Sequence, residues 1–454
     1  MIHRYQNNGY NIVLDVNSGA VHLVDSLVYE MLGMLGEQAE SLGETCPAEI
    51  AAELSERYSA QAVDDGYGEI YRLYCDGLLY STDDYEGIAE KTIISPFKAI
   101  CLHVSHDCNL RCGYCFAGQG GYGSEKKLMS EEVALAAVDF LIENSGSRRN
   151  LEIDFFGGEP LLNFEAIKKT VEYGRGLERK HDKVFRFTTT TNGVLLNDEI
   201  ADFLNREMHN VVLSLDGRRE VNDRVRPDLG GGGSYDRIVP KYQHFARIRG
   251  DGDYYVRGTY TKNNLDFAED VMHMYELGFD QISVEPVISD PGLPFSITEE
   301  DLPRIFDEYD RLARTVIELR KQGKGFNFFH FMIDLEQGPC VIKRLRGCGC
   351  GNEYAAVDPD GNLYPCHQFV GREEWKMGNV LTGGYDRGIK QRFAKSTVYD
   401  KAECRKCWAK FYCSGGCSAN NFQYEGDILK PHSLSCSIEK KRLECAIMIK
   451  AALS

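Results

Sequence analysis

Sixteen cysteines in 454 residues constrain this chain more than any other feature, because they are clustered. Three lie between positions 108 and 115 and nine between 340 and 436. Only Cys46, Cys75, Cys101 and Cys445 stand apart, as small buried apolar side chains do. The N-terminus, MIHRYQNN, has no apolar h-region, and no apolar stretch reaches the roughly 18 residues that span a bilayer. The sequence therefore predicts a cytoplasmic chain with no membrane partner. Disulfides rarely persist in a reducing compartment, so clustered thiols there point to metal or redox chemistry.

A formal charge of −17 argues against a nucleic-acid partner, which needs a basic surface. The charge is uneven. Residues 1–90 hold 17 Asp and Glu against 3 Lys and Arg, so this segment is suited to attract a basic partner.

The hydrophobic pattern divides the chain. Residues 1–90 read as a small α/β module: YNIVLDV and AVHLV alternate around Asn17-Ser18-Gly19 as a hairpin, and three helical patterns follow, SLVYEMLGML, PAEIAAELSERY and DDGYGEIYRLYCDGLL. A hairpin with three helices is winged-helix-like. Residues 84–95 read as a linker. Residues 96–290 alternate strand and helix, with strands over 97–104, 151–157, 184–191, 210–216, 253–260 and 281–287. Six βα units predict an α/β fold with a partial (β/α)6 TIM-type barrel, whose functional groups sit at the C-terminal strand ends. A bridging helical region, 291–339, contains a long helix over 299–322. Residues 340–454 are loop-rich and need metal staples. The run Gly230–Gly233 lacks a following Lys, so it reads as a flexible loop rather than a phosphate cradle.

Cys108-x3-Cys112-x2-Cys115 directly follows the first barrel strand. Three thiolates can hold three irons of a [4Fe–4S] cube and leave the fourth iron open. Structural zinc needs a fourth protein ligand, and none is obvious nearby. This loop, with Tyr114 and Phe116 flanking its last cysteine, resembles the signature of the radical S-adenosylmethionine (SAM) superfamily. The resemblance extends to Gly157-Gly158-Glu159-Pro160 at the end of the second strand, similar to the family's GGEP motif, and to Thr190 and Asn192, then Ser214 and Asp216, at the ends of the third and fourth. It implies that Glu159 accepts from the amino group of SAM, that Ser214 and Arg226 hold its carboxylate, and that Tyr114, Gly157, Gly158, Thr190, Asn192 and Asp216 complete the cofactor site. Asn222 departs from the His of a His-Asp pair common in relatives.

Cys404-x2-Cys407-x5-Cys413-x3-Cys417 is followed by Cys436 and preceded by Cys348-x12-Gly361-x4-Cys366. Zinc is the rival reading for paired cysteines. The whole string resembles the SPASM extension of radical enzymes, which implies two auxiliary [4Fe–4S] clusters and three clusters in all. Interleaved wiring is implied: Cys404, Cys407, Cys413 and Cys436 for the outer cluster, and Cys348, Cys366 and Cys417 for the inner. The fourth inner ligand is Cys350 or Cys340, or the site is open for substrate sulfur. His367 stands where some relatives that make formylglycine carry an Asp base, which weakens the formylglycine reading and leaves His367 as either the catalytic base or a surface residue.

The acidic N-terminal module resembles the leader-binding element of peptide-maturing enzymes, which holds a leader peptide as an added strand. All parts together resemble the maturases of SCIFF peptides (six cysteines in forty-five residues). That resemblance implies thioether formation between a Cys sulfur and an acceptor carbon, such as that of a Thr, in a cysteine-rich precursor, with a flavodoxin or ferredoxin as electron donor. The alternatives are another SPASM-type maturase, sulfatase or quinohaemoprotein in kind, and a non-enzymatic metal- and peptide-binding protein.

Overall fold

The computed structural model describes residues 1–39, 41–90, 94–335 and 344–454. The N-terminal module is an antiparallel sheet of β1 (Ile2–Asn7), β2 (Tyr10–Asp15) and β3 (Val21–Leu23), in that order, followed by α1 (Ser26–Leu35), α2 (Ala48–Ser55) and α3 (Ala60–Cys75). The expected hairpin is β2–β3, and β1 adds a third strand. Asp15 fixes the turn, accepting from the backbone N–H and hydroxyl of Ser18 at 2.9 and 2.8 Å. Asp25 and Ser59 cap α1 and α3 by accepting from Val28 and Ala62. Met31, Leu32, Leu54, Val63, Tyr67 and Ile70 form the module's own core.

All six expected barrel strands form: β4 (Ala99–Ser105), β5 (Asn150–Gly157), β6 (Val184–Thr191), β7 (Met208–Ser214), β8 (Tyr254–Tyr260) and β9 (Gln281–Pro286), each parallel to the next. The fold is α/β with a mostly parallel sheet. The long helix runs over Leu302–Lys321. Within the expected linker, Glu86–Glu90 is a short helix.

The sheet extends past the six strands at both edges. Beside β9 lies β10 (Asn327–Phe328), and beside β4 lies β11 (Tyr354–Val357), both parallel; β12 (Asn362–Tyr364) and β13 (Gly378–Asn379) continue antiparallel. The cysteine-rich region is thus joined to the barrel by backbone hydrogen bonding. Period-two alternation gives the sheet two faces. Ile100, Leu102, Ile153, Phe155, Phe187, Leu213 and Val256 pack under the helices. The opposite, concave face presents polar groups, among them Asp154, Thr188, Arg257 and Glu285.

The C-terminal helix Ser433–Leu453 ties the parts together. Its Glu444 carbonyl accepts from the Tyr5 hydroxyl at 2.8 Å, and the His3 ring stacks on Trp408 at 3.9 Å. Further along, Arg442 reaches the ring of His330 at 3.0 Å. The loop-rich region has its own aromatic core, in which Trp375 is buried against Phe369, Phe393 and Phe422. Trp375→Ala leaves a large cavity there and is expected to cost about 3–5 kcal/mol. Chemical denaturation of the full chain checks it.

Candidate functional site

The three-cysteine loop leaves the C-terminal end of β4 and is clamped from two sides. On one side, the N–H groups of Gly158 and Glu159 donate to the carbonyls of Ser105 and Asp107 at 2.7 and 2.8 Å. On the other, the N–H groups of Arg111 and Gly113 donate to Pro227 and Val225 at 2.8 and 2.9 Å. The glycines are required by this closeness: a Cβ on Gly158 would lie 2.1 Å from the Asp107 carbonyl oxygen, and one on Gly157, at φ +123°, would lie 2.3 Å from that of Ser105.

Cys108, Cys112 and Cys115 face one another closely enough to interact electrostatically. Burial, with Glu159 nearby, pushes the Cys108 thiol up to about 12, and burial pushes Cys112 up to about 11 against the pull of Arg226. Cys108 Sγ accepts from the Leu110 N–H at 3.4 Å and from Asn192 Nδ2 at 3.5 Å.

Glu159 is held by protein partners. Its carboxylate accepts from the Thr191 hydroxyl at 2.7 Å, the Leu161 N–H at 3.1 Å and the Asn192 N–H at 2.8 Å. Three of the four acceptor sites of a carboxylate are therefore filled by protein. Glu159 acts as a strut between the ends of β5 and β6, and burial raises its pKa to about 7. Thr191, which the sequence reading passed over in favour of Thr190, supplies one of these contacts. Thr190 and Ser214 lie half-buried at the ends of β6 and β7.

Arg226 has a protein partner. Its guanidinium forks onto Asp216 at 2.8 and 3.2 Å, and both are buried. Asp216 further accepts from the Tyr114 hydroxyl at 2.7 Å and the Thr259 N–H at 2.9 Å. Arg226, Asp216 and Tyr114 are thereby joined into one hydrogen-bonded frame beside the cysteine loop. Asn222 is wholly buried and donates to the Ser234 hydroxyl at 3.1 Å, holding the turn that presents Arg226. The Gly230–Gly233 run is pinned rather than free, since the Asp228 carboxylate accepts from the N–H groups of Gly230 and Gly232, both at 2.9 Å.

The other cysteines gather in two sets. Cys404, Cys407, Cys413 and Cys436 interact with one another. Cys350 is hydrogen-bonded to Cys366 and lies near Cys348 and Cys417. The interleaved order is therefore present in space. Cys350 joins the inner set as its fourth thiol, so this geometry needs no open inner position; Cys340 lies outside the described residues. Among the described residues, no three His, Cys, Asp or Glu side chains close around a single metal ion. The donor sets consist of thiols, three in one loop and four in each of the others, which is the chemistry of iron–sulfur cubes. The residues present fit three such groups.

His367 follows Cys366 and lies between Phe156 and Phe116, with ring centroids 5.1 and 5.5 Å away. Burial and the nearby Arg257 pull its pKa down to about 4. Arg257 pairs with Glu285 at 2.7 Å on the concave face, a pair that sequence reasoning missed because its residues lie on different strands, 28 positions apart.

This fold is close to the radical SAM architecture. The Radical SAM superfamily matches residues 102–256, and the SPASM iron–sulfur cluster-binding domain matches residues 348–408. The chain thus carries a region similar to the Radical SAM superfamily and a region similar to the SPASM iron–sulfur cluster-binding domain. It is 24% identical over 347 residues to the cysteine-type anaerobic sulfatase-maturating enzyme of Clostridium perfringens, covering 71% of this chain and 89% of that one. It is 27% identical over 331 residues to the mycofactocin maturase MftC of Mycobacterium ulcerans, covering 71% and 84%. Among solved structures, native anSMEcpe with bound AdoMet superposes with a TM-score of 0.66 at 22% identity, covering 79% of this chain and 99% of that one. Streptococcus suis SuiB bound to S-adenosylmethionine superposes with a TM-score of 0.54 at 18% identity, covering 96% and 98%. Among the described residues, no helix is long and apolar enough to cross a membrane.

Gly158→Ala drives a methyl group into the Asp107 carbonyl and separates the GGEP turn from the cysteine loop. It is expected to weaken SAM binding at least tenfold while leaving the two four-thiol sets loaded. Equilibrium dialysis with labelled SAM and iron analysis check this.

Proposed function

We propose that this chain is a radical SAM maturase that forms thioether crosslinks in a ribosomally made, cysteine-rich precursor peptide of the SCIFF kind. The observation that carries this reading is the C-terminal helix, which contacts three parts at once: the N-terminal sheet through Glu444, the outer thiol set through Cys436, and the concave barrel face through Arg442 and His330. A peptide held on the N-terminal sheet is thereby kept near the barrel mouth.

The docking place is the end strand β3. Its exposed Leu23 borders a cleft of about 170 Å³ lined by His22, Val24, Val28, Ile70 and Leu73, so a leader segment can add as a strand and seat apolar side chains beneath it. The acidic balance of residues 1–90 favours a leader with basic residues.

In this reading, Cys108, Cys112 and Cys115 would hold the iron–sulfur cluster that serves SAM, and the other two sets would hold auxiliary clusters. When bound, SAM supplies a 5′-deoxyadenosyl radical after one-electron reduction by a flavodoxin or ferredoxin. The chain's own groups position the reactants. Asn192 and the Leu110 N–H hold the Cys108 sulfur, Glu159 fixes the GGEP turn, and the Asp216–Arg226–Tyr114 frame supports the loop. Thr190, Ser214 and the backbone of Gly157 and Gly158 remain to hold the cofactor's polar parts. His367, between Phe116 and Phe156, takes the proton of the substrate thiol, and the Arg257–Glu285 pair offers a donor and an acceptor to the peptide. Atoms and electrons would balance with the acceptor carbon giving its hydrogen atom to the 5′-deoxyadenosyl radical, the thiol giving its proton to His367, one carbon–sulfur bond formed, and an oxidised auxiliary cluster taking up the one remaining electron.

A second reading, maturation of a sulfatase cysteine to formylglycine, is favoured by the names of the clostridial relatives. Against it stands His367 in place of an Asp base. Co-expression with a cysteine-rich precursor and mass spectrometry separate the two. Thioethers remove two hydrogens per crosslink and protect the cysteine from alkylation, whereas formylglycine gives an aldehyde that hydrazines trap.

Two variants test the division of labour. Cys112→Ala is expected to abolish 5′-deoxyadenosine release. Cys413→Ala is expected to retain part of that release and lose crosslinking, and crosslinking that survived would exclude the auxiliary role. His367→Ala is expected to lower the crosslinking rate by about 10²–10⁴-fold, the usual range for a lost general base, with cofactor cleavage preserved.

A further inference from the structure

Lys401 is almost wholly buried, which is unusual for a lysine. Its Nζ donates to the Gly415 carbonyl at 2.7 Å, so close that a Cβ on Gly415 would lie 2.9 Å from it. Gly415 is the middle of the Cys413-Ser-Gly-Gly-Cys417 loop, whose two cysteines belong to different thiol sets. Lys401 also lies three residues before Cys404 and begins the short helix that carries it. Two chain segments therefore fix the ammonium between the outer and inner sets.

A buried ammonium is costly unless a counter-charge faces it. Among the described residues, no carboxylate ion-pairs with Lys401. Burial lowers the Lys401 pKa, and the groups that oppose this and favour its charged form are cysteines of both sets, Cys404 and Cys413 from the outer, Cys417 and Cys348 from the inner. Two other lysines of the cysteine-rich region are buried: Lys410 pairs through its Nζ with Asp83 at 2.5 Å, and Lys390 donates to the Asn352 carbonyl, away from both thiol sets.

Resting on the reading that both sets hold clusters, we propose that Lys401 is a shared electrostatic partner of the two auxiliary clusters, raising both reduction potentials and favouring arrival of the electron released on product formation. Reduction adds negative charge to a cluster. A fixed positive charge in a region of low dielectric stabilises the reduced form, and one charge between two clusters acts on both.

The test uses the full chain with Cys108, Cys112 and Cys115 all replaced by Ala, so that only the auxiliary clusters report. Iron and sulfide analysis comes first: absence of both clusters in this background overturns the cluster reading itself, independently of Lys401. Potentiometric titration followed by electron paramagnetic resonance then compares Lys401→Gln, which keeps an N–H donor for Gly415 without charge, with Lys401→Arg, which keeps the charge. The expected result is a lower midpoint in Lys401→Gln for both clusters, by at least a tenfold change in the reduction equilibrium, or 59 mV for one electron, with Lys401→Arg near the parent. Equal midpoints in all three, or equal shifts in both variants, overturn the proposal. Cluster loss confined to Lys401→Gln also overturns it, assigning the residue to assembly.

Discussion

The loop after β4 packs its thiols into a desolvated place: burial first, and neighbouring charged groups second, hold Cys108 and Cys112 well above an ordinary thiol. Bringing such groups together demands support from elsewhere. The GGEP turn supplies two backbone hydrogen bonds on one flank and residues 225–227 supply two on the other. Most of the polar residues around the site serve this scaffold. Glu159 ties the turn to the end of β6, and Asp216 fixes the Arg226 segment from below.

The same logic scales up in the cysteine-rich region. Beyond its own aromatic core, this region gains order by continuing the barrel's sheet through β11, which pairs with β4, the strand that launches the three-cysteine loop. One register thereby links the first thiol set to Cys366 at the far end of the β11–β12 hairpin. Interleaving adds a second link, because Cys413 and Cys417 share one loop yet serve different sets. The distances between the three sites are thus set by backbone rather than by flexible side chains.

Much of this was legible in the sequence. The six barrel strands stood out because each alternates strongly or is continuously apolar, and the thiol sets because cysteine spacing is a local property. The first strand, IHRYQN, escaped notice because its polar side chains gain partners such as Glu444 and Asp310 from more than 300 residues away. The two-residue β10 and the four-residue β11 are too short for any periodicity to mark. Site roles were harder. A sequence cannot tell whether Arg226 meets a ligand carboxylate or Asp216, ten positions earlier. In a run of four threonines, Thr188–Thr191, it cannot tell which one turns toward Glu159. These are questions of long-range placement.

The central claim is that the loop after β4 holds a cube with one vacant iron that SAM occupies. Electron paramagnetic resonance of the anaerobically purified, dithionite-reduced protein tests it most directly. The account predicts a [4Fe–4S]⁺ signal that shifts when SAM is added, with no such shift when Cys108, Cys112 and Cys115 are all replaced. A colourless, zinc-loaded protein, or a cluster signal indifferent to SAM, would contradict it.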